Sequence, residues 1–258
     1  MDLKLQGKVA VVTGGSRGIG RRIAQRFAEE GCHVGICARG KEEVERAASE
    51  LRELGVEVFS RAGDVTEAEV AEGFINGAAD ALGGIDILVA NVGGSSGGRS
   101  RMEEATDEDW LRTFQLNLFH AVRCTRLALP HFRKRGGGSV TIISSISGRI
   151  AGGYPQYGAA KAAEIHLAGE LAIQLAPENV RVNAVCPGSI IWDGGGWDRV
   201  RSSRPQEFEE FLSREFPAGR LGSPEEVADV VVFLNSERAS WINGALIPVD
   251  GAQRRPAL

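Results

Sequence analysis

The chain has 258 residues and a formal net charge of -4, so its length fits one large α/β domain or two small ones, and its charge gives no reason to expect a nucleic-acid partner. No apolar run approaches the ~18 residues of a bilayer span, and Met1 to Gly7 lacks the layout of a secretion signal, so we expect a cytoplasmic protein without a membrane partner. The four cysteines stand in no C-x-x-C pair and at no metal-ligand spacing, which predicts reduced structural thiols and no bound metal.

A glycine cluster at residues 13–20 (TGGSRGIG) separates an apolar run from a helix-like segment. Lys8 to Val12 predicts a buried strand, and Arg21 to Glu30 places its apolar residues on one helical face. Glycines let such a turn approach a ligand closely, and the N–H groups at the helix start attract an anion such as pyrophosphate. No Lys-Ser or Lys-Thr follows the last glycine, which excludes a mononucleotide P-loop. The stretch therefore predicts a dinucleotide site, with an unliganded tight turn as the alternative.

An arginine follows the second predicted strand, which runs from His33 to Ala38. In a dinucleotide fold an acid about 20 residues past the glycine turn bonds the ribose 2′-hydroxyl, whereas an arginine accommodates a 2′-phosphate. This strand end offers Arg39 and no carboxylate, and Arg17 adds a second cation in the turn. We therefore expect NADP(H) in preference to NAD(H). In the alternative, Arg39 stacks on the adenine or points to water.

Predicted strands and helices alternate along the rest of the chain. Thr66 and Ser223 are the predicted caps of two helices, and Pro130 is expected to kink or shorten a third. This alternation, without a linker or repeat, predicts one domain over residues 1–258 with a Rossmann-type doubly wound parallel sheet of about seven strands and helices on both faces. The further strands are predicted at 56–61, 85–90, 140–143, 180–185 and 245–249, and the further helices at 41–54, 66–82, 107–135, 157–176 and 225–234.

Tyr157 and Lys161 stand four residues apart near a helix start, so their side chains share one face. They follow a strand that ends at Ser144 and Ser145. A nearby ammonium stabilises a phenolate and lowers the tyrosine pKa from about 10 toward neutrality, where the phenol exchanges protons efficiently. This arrangement predicts acid–base catalysis. In isolation the same spacing would indicate an aromatic ring with a snorkelling lysine.

A competing catalytic pattern, G-x-S-x-G, falls at Gly93 to Gly97. A hydrolase nucleophile elbow needs a helix directly after its serine, followed later by an acid and a histidine. The residues at 97–101 (GGRSR) intervene before any helical pattern, so we interpret Ser95 as a loop residue and disfavour a hydrolase.

In combination, these motifs resemble the short-chain dehydrogenase/reductase family over essentially the whole chain. The T-G-x-x-x-G-x-G turn, an asparagine in the long helix, a strand-end serine, Y-x-x-x-K and a C-P-G turn occur in the family's order. The G-R-L-G-S-P-E-E run at 219–226 is similar to the family's 3-oxoacyl-(acyl carrier protein) reductase-like branch. The resemblance implies reversible hydride transfer between nicotinamide and a small-molecule carbonyl or secondary alcohol.

The resemblance also implies a Ser-Tyr-Lys catalytic site, with Asn117 holding a water of a proton relay. By the family's Ser-x-x-Gly register the serine is Ser145, because Gly148 follows three residues later, whereas Ser144 restores the usual distance to Tyr157. We choose Ser145. Cofactor contacts are expected at Gly14, Ser16, Arg17, Gly18, Ile19, Gly20, Arg39, Asp64, Val65, Asn91, Gly93, Tyr157, Lys161, Pro187, Gly188 and Ile190.

The chain departs from the family's pattern at three positions. Ala90 and Val92 replace residues of the family's N-N-A-G turn, and Trp192 replaces the threonine expected to contact the cofactor. Residues 189–217 form an insertion with glycines at one end, for which a lid over the substrate is the expected role and a surface excursion the alternative. Residues 254–258 are expected to form a loose tail.

The family's oligomers imply a homodimer or homotetramer that packs through the predicted helices at 107–135 and 157–176. The competing function from another class is a cofactor-binding sensor or scaffold without turnover. The intact Tyr157 and Lys161 pair argues against it, since such a protein has no physical need for both residues.

Overall fold

The computed structural model describes residues 1–95 and 101–254. Seven parallel strands form one sheet in the order β3-β2-β1-β4-β5-β6-β7. The order reverses between β1 and β4, and in open α/β sheets such a point leaves a crevice at the carboxyl ends of the strands. The strands are β1 Val9–Thr13, β2 His33–Ala38, β3 Val58–Ala62, β4 Ile87–Ala90, β5 Gly138–Ile143, β6 Val180–Pro187 and β7 Leu246–Val249.

Helices cover both faces of the sheet. On one face Phe27 and Val231 lie in a core of buried side chains, and on the other face Phe74 and Phe132 lie in a second core. The predicted Rossmann-type sheet of about seven strands is therefore confirmed. The helices are α1 Gly18–Glu29, α2 Lys41–Arg52, α3 Ala68–Leu82, α4 Asp107–Phe114, α5 His120–Arg135, α6 Pro155–Leu175, α7 Gly196–Ser203, α8 Pro205–Glu215 and α9 Pro224–Leu234.

The helix predicted at 107–135 consists of α4 and α5, joined by a π-helical turn at Gln115–Phe119. Pro130 lies inside α5, which continues to Arg135, so the proline does not end the helix. The predicted cap at Thr66 was wrong. The N-cap of α3 is Glu67, because the Thr66 N–H and hydroxyl both donate to Asp64 Oδ1, at 3.0 and 2.8 Å.

The predicted cap at Ser223 is confirmed, since Ser223 and Glu226 form a capping box at the start of α9. The four cysteines are buried, as expected of structural thiols. Burial raises the pKa of Cys32, Cys37 and Cys124 to about 12, so these thiols stay protonated near neutral pH.

Within the described ranges, no helix is both long enough and apolar enough to cross a membrane.

The insertion predicted at 189–217 carries its own small apolar cluster. Phe208, Phe216 and Leu221 are buried together, and the Trp197 ring stacks on Phe211 with centroids 4.3 Å apart. Arg254 joins this segment to the end of the chain, since its Nε donates to Glu215 at 2.9 Å. The expectation of a loose tail is therefore wrong for Arg254, while residues 255–258 lie outside the described part of the chain.

Candidate active site

A cleft of about 730 Å³ opens where the strand order reverses, at the ends of β1, β2 and β4. Most of the residues predicted to bind a cofactor line it together, which brings the glycine turn, the end of the second strand and the loop after the fourth strand to one place. The lining includes Gly14, Ser16, Arg17, Gly18, Ile19, Gly20, Arg39, Asp64, Val65, Asn91 and Gly93.

The glycine turn has the shape that an anion-binding turn requires. Gly14 and Gly18 have φ values of 71° and 56°, a region that favours glycine. A Cβ on Gly20 would lie 2.3 Å from the carbonyl oxygen of Gly14, so only glycine allows this close approach. The N-cap of α1 is Arg17, which makes no side-chain cap hydrogen bond. The first N–H groups of α1 therefore suit an anion such as the pyrophosphate of a dinucleotide.

The outer end of the cleft carries charges of both signs. Arg17 and Arg39 line it, and neither makes an ion pair with any residue in the described ranges. Glu43, on the first turn of α2, lines the same end and was missed by the sequence analysis. Glu43 could not be identified from the end of a strand, because it lies two residues into helix α2. Two arginines and one carboxylate thus line the end of the cleft where the 2′-group of a cofactor ribose would bind.

Asp64 and Asn91 both line the cleft while their side chains also bond to the protein. Asp64 accepts two hydrogen bonds from Thr66, the turn role that the sequence left open. The Asn91 amide donates to the Thr13 carbonyl at 2.9 Å, and Thr13 Oγ1 accepts from the Asn91 N–H at 2.9 Å. Asn91 thereby ties the end of β4 to the end of β1.

Five predicted cofactor residues, including Tyr157 and Lys161, do not line the cleft. Pro187 ends β6, the Gly188 backbone packs on Asp250, and Ile190 is buried in the core. The neighbouring Trp192 and Arg199 line the cleft instead. Trp192 lies against the glycine turn, since a Cβ on Gly18 would come within 2.9 Å of its indole ring. Hydrophobic periodicity could not identify Arg199, because the position of this side chain at the cleft depends on how helix α7 packs against the rest of the chain.

Two of the four predicted catalytic residues meet the cleft at Gly93. A Cβ on Gly93 would lie 2.8 Å from both Lys161 Nζ and Asn117 Oδ1, so glycine is needed for these atoms to approach the loop. Lys161 Nζ lies 5.8 Å from the centroid of the Tyr157 ring, one turn earlier on α6. Lys161, Tyr157 and Asn117 therefore form one group at the inner end of the cleft.

The two strand-end serines have different surroundings. Ser144 is buried, and its hydroxyl donates to the Lys161 carbonyl at 2.8 Å. Ser145 Oγ accepts from the Ser147 N–H at 3.1 Å, which leaves its own proton for another acceptor. A Cβ on Gly148 would lie 2.7 Å from the Lys161 carbonyl carbon, so the Ser-x-x-Gly segment packs tightly against α6. These contacts favour Ser145 as the serine with a free donor.

Asn117 is fully buried in the π-helical turn, and its amide bonds to backbone groups on both sides. Nδ2 donates to the carbonyls of Gly94 and Thr113, at 3.0 and 2.8 Å. Oδ1 accepts from the Gly94 N–H at 3.0 Å. The side chain expected to hold a relay water is thus engaged in fastening the π turn to the loop at 93–94.

Lys161 is buried beside a carboxylate that the sequence analysis did not single out. Its Nζ donates to the Ile143 carbonyl at 2.9 Å and to Glu164 Oε1 at 3.0 Å. Burial lowers the pKa of Lys161, but the charges of Glu164 and Tyr157 outweigh burial and raise it. Burial raises the pKa of Glu164 to about 7, against the opposing charge of Lys161. The spacing of three residues from Lys161 was the signal that could have identified Glu164.

Burial lowers the pKa of His120, at the start of α5, to about 3, and the charge of Lys161 acts in the same direction. This imidazole is therefore neutral near pH 7.

Over residues 1–95 and 101–254, no group of His, Cys, Asp and Glu side chains could hold a metal ion. The G-x-S-x-G pattern lies partly outside the described ranges, which omit 96–100; they resume with a turn before α4.

Comparison with known proteins gives consistent matches over nearly the whole chain. Residues 14–252 match the family profile described as enoyl-(acyl carrier protein) reductase. The 7α-hydroxysteroid dehydrogenase of Escherichia coli K12 is 32% identical over 251 residues, covering 97% of this chain and 95% of that protein. Dehydrogenase/reductase SDR family member 4 of Homo sapiens is 38% identical over 252 residues, covering 96% of this chain and 87% of that protein.

Two solved structures share this architecture. L-sorbose reductase from Gluconobacter frateurii, complexed with NADPH and L-sorbose, has a TM-score of 0.92 and 35% identity, with 100% of both chains covered. A 7α-hydroxysteroid dehydrogenase complexed with NADH and 7-oxo glycochenodeoxycholic acid has a TM-score of 0.90 and 32% identity, covering 99% of this chain and 97% of that one.

Proposed function

The chain belongs to the short-chain dehydrogenase/reductase family and is an oxidoreductase, and from this premise we propose that it transfers a hydride between NADP(H) and the carbonyl or secondary alcohol carbon of a small molecule. The observation that carries the proposal is the convergence of Lys161 Nζ and Asn117 Oδ1 on Gly93, at the inner end of the cleft that begins with the glycine turn. A nicotinamide cofactor held at the glycine turn would thus extend toward Tyr157 and Lys161.

Tyr157, Ser145 and Lys161 would each have a separate role in the reaction. When bound, the nicotinamide supplies or accepts the hydride. In reduction Tyr157 gives its phenolic proton to the substrate oxygen, and the Ser145 hydroxyl donates a hydrogen bond to the same oxygen. The Lys161 ammonium, 5.8 Å from the Tyr157 ring, stabilises the phenolate that remains. Oxidation of an alcohol runs these steps in reverse.

Lys161 would also hold the cofactor ribose, and Asn117 would fix the loop along which a relay water re-supplies the proton. The glycine turn and the start of α1 would hold the pyrophosphate, with Ser16 and Ile19 beside it. Asp64 and Val65 would contact the adenine from the same cleft.

NADP(H) is proposed over NAD(H) because Arg17 and Arg39 face the outer end of the cleft. A 2′-phosphate would make charge-assisted hydrogen bonds to both guanidinium groups. Glu43, in the same lining, opposes that phosphate by its negative charge and limits the preference. The site chemistry therefore favours NADPH while leaving NADH a measurable substrate.

We propose residues 1–258 as a single cytoplasmic domain, in which the segment at 189–217 closes over the substrate. The apolar cluster of Phe208, Phe216 and Leu221 supports a lid that moves as a unit.

A homodimer or homotetramer is proposed because Leu111, Phe119 and Ile173, on α4, the π turn and α6, are exposed. Light scattering of wild type and Ile173→Lys should show an oligomer that the lysine weakens; a monomeric wild type would refute it.

The proposed function is tested by following the absorbance of reduced cofactor with NADPH and NADH against ketoses, oxosteroids, acyl thioesters and simple ketones. We expect cofactor oxidation that depends on the carbonyl substrate and is faster with NADPH. Binding of either cofactor without turnover on any carbonyl would favour the sensor class instead.

A further inference from the structure

Glu164 is a buried acid that the proposed chemistry does not use. Its side chain is 0% exposed and follows Lys161 by three residues on α6, so the two lie on one face. Both carboxylate oxygens lie 3.0 Å from Lys161 Nζ; Oε1 accepts a hydrogen bond from it, and Oε2 accepts none from the described part of the chain. An apolar side chain of similar size would cost less to bury than this partly satisfied carboxylate. Packing therefore does not explain the residue.

Lys161 lies between Glu164 and Tyr157. Its Nζ is 3.0 Å from the carboxylate and 5.8 Å from the centroid of the phenol ring. From this placement we infer that Glu164 is a positioning residue that sets how much positive charge Lys161 presents to Tyr157, and so the pH at which the phenol ionises. The inference rests on the proposed function, because it concerns the same tyrosine and lysine.

The other groups around this pair are neutral near pH 7. Ser144 lies beside Glu164 at the end of β5, and burial raises the pKa of Cys186, on β6, to about 11. His120, on α5, is uncharged because burial holds its pKa at about 3. Among the described residues that face Lys161, Glu164 is therefore the one carboxylate that can offset its charge.

The sign of the effect follows from Coulomb's law. An ionised Glu164 cancels part of the ammonium charge felt at the phenol, so the phenolate of Tyr157 forms at a higher pH. A neutral glutamine of the same shape keeps an acceptor for Lys161 Nζ and removes the negative charge. In Glu164→Gln the ionisation midpoint of the Tyr157 phenol should fall by about one pH unit, given an effective dielectric constant of about 20.

The chain permits a direct spectroscopic test, because it contains only 2 tyrosines, Tyr154 and Tyr157. In a Tyr154→Phe background, phenolate absorbance as a function of pH reports Tyr157 alone. We compare this background with and without Glu164→Gln. The matched control is Glu170→Gln, the same charge change on the exposed face of α6. The inference requires a lower midpoint with Glu164→Gln and no change with Glu170→Gln. An unchanged or higher midpoint with Glu164→Gln overturns it.

If Glu164→Gln does not fold, Glu164→Leu provides the same charge change without a polar group to bury, and the same downward shift is required. The pH profile of kcat/KM for alcohol oxidation should move in parallel, with its acid limb displaced to lower pH. The titration needs no turnover, so it separates the two claims. Absence of any oxidoreductase activity refutes the proposed function, whereas a fixed phenolate midpoint refutes only the role of Glu164.

Discussion

At the scale of single residues, alanine substitution of the two adjacent serines after β5 should have different effects, one on catalysis and the other on stability. Ser145→Ala should lower kcat/KM by about 10²–10³, because it removes a donor to the substrate oxygen. Ser144→Ala should lower the free energy of unfolding by about 1 kcal/mol, because its buried hydroxyl donates to the Lys161 carbonyl. Steady-state kinetics and urea denaturation of both variants measure this. The larger kinetic loss in Ser144→Ala would reverse the assignment.

The charges at the outer end of the cleft predict cofactor preference. Arg39→Ala should weaken NADPH binding about 10- to 100-fold with little effect on NADH, because a charge-assisted hydrogen bond to the 2′-phosphate is lost. Glu43→Gln should strengthen NADPH binding relative to NADH. Calorimetric titration with both cofactors gives the ratio. Arg46→Ala, an exposed charge change on the same α2 helix, is the control. Equal losses for both cofactors in Arg39→Ala would contradict an interaction with the phosphate.

Residues such as Arg39 could be predicted from the sequence because they follow a strand directly, so their place at the sheet edge is local information. Glu43 and Arg199 could not, because their positions depend on how helices pack against that edge, whereas Glu164 was marked by its spacing of three residues from Lys161. Ser145 was chosen over Ser144 by the Ser-x-x-Gly register alone, and the contacts of the two serines add independent support. The hydrogen bond from Ser144 to the Lys161 carbonyl joins residues 17 apart, and no pattern reports it.

At the scale of elements, the π turn between α4 and α5 depends on one amide. Asn117→Ala should lower the free energy of unfolding by about 3 kcal/mol, because three hydrogen bonds to Gly94 and Thr113 are lost. Activity should fall with it, since the loop at Gly93 loses its anchor. Asn117→Asp keeps the Oδ1 acceptor but turns an anionic oxygen toward the carbonyls of Gly94 and Thr113, so it should lose at least as much stability. Urea denaturation that shows Asn117→Ala as stable as wild type would exclude this role.

Helical periodicity predicted one helix at 107–135 because the apolar spacing continues through the π turn. The turn itself is set by the bonds from Asn117 to a distant loop, which no local pattern contains. Conversely, the cap at Ser223 was predictable because the capping box with Glu226 lies within four residues. The local bonds at Ser223 were thus predictable, the local bonds from Thr66 to Asp64 were misassigned as a helix cap, and the tertiary bonds of Asn117 had no sequence signal.

At the scale of the whole molecule, the buried His120 predicts how stability depends on pH. Its folded pKa of about 3 lies below the ordinary value of 6.5, so its contribution is full above pH 6.5 and is lost as pH falls toward 3. The loss should approach about 1.4 kcal/mol per pH unit in that window. His120→Phe fills the site without titrating, so its stability should fall less steeply. Urea denaturation across this pH range compares the slopes, and identical slopes would contradict the prediction.

The doubly wound parallel sheet followed from the alternation of strand and helix patterns, whereas the order of its strands came from the structure. What alternation could not supply was the fold of 189–217. There the stacking of Trp197 on Phe211 and the bond from Arg254 to Glu215 determine the structure. The segment that we propose as the lid is therefore the part of the molecule that sequence patterns predicted least.

Tyr157→Phe tests the proposed proton donor most directly, because this substitution removes only the phenolic oxygen. With a carbonyl substrate found by the cofactor assay, kcat should fall about 10²–10⁴-fold, while NADPH affinity measured by calorimetry stays near the wild-type value. A Tyr157→Phe variant that retains wild-type kcat would contradict the proposed mechanism.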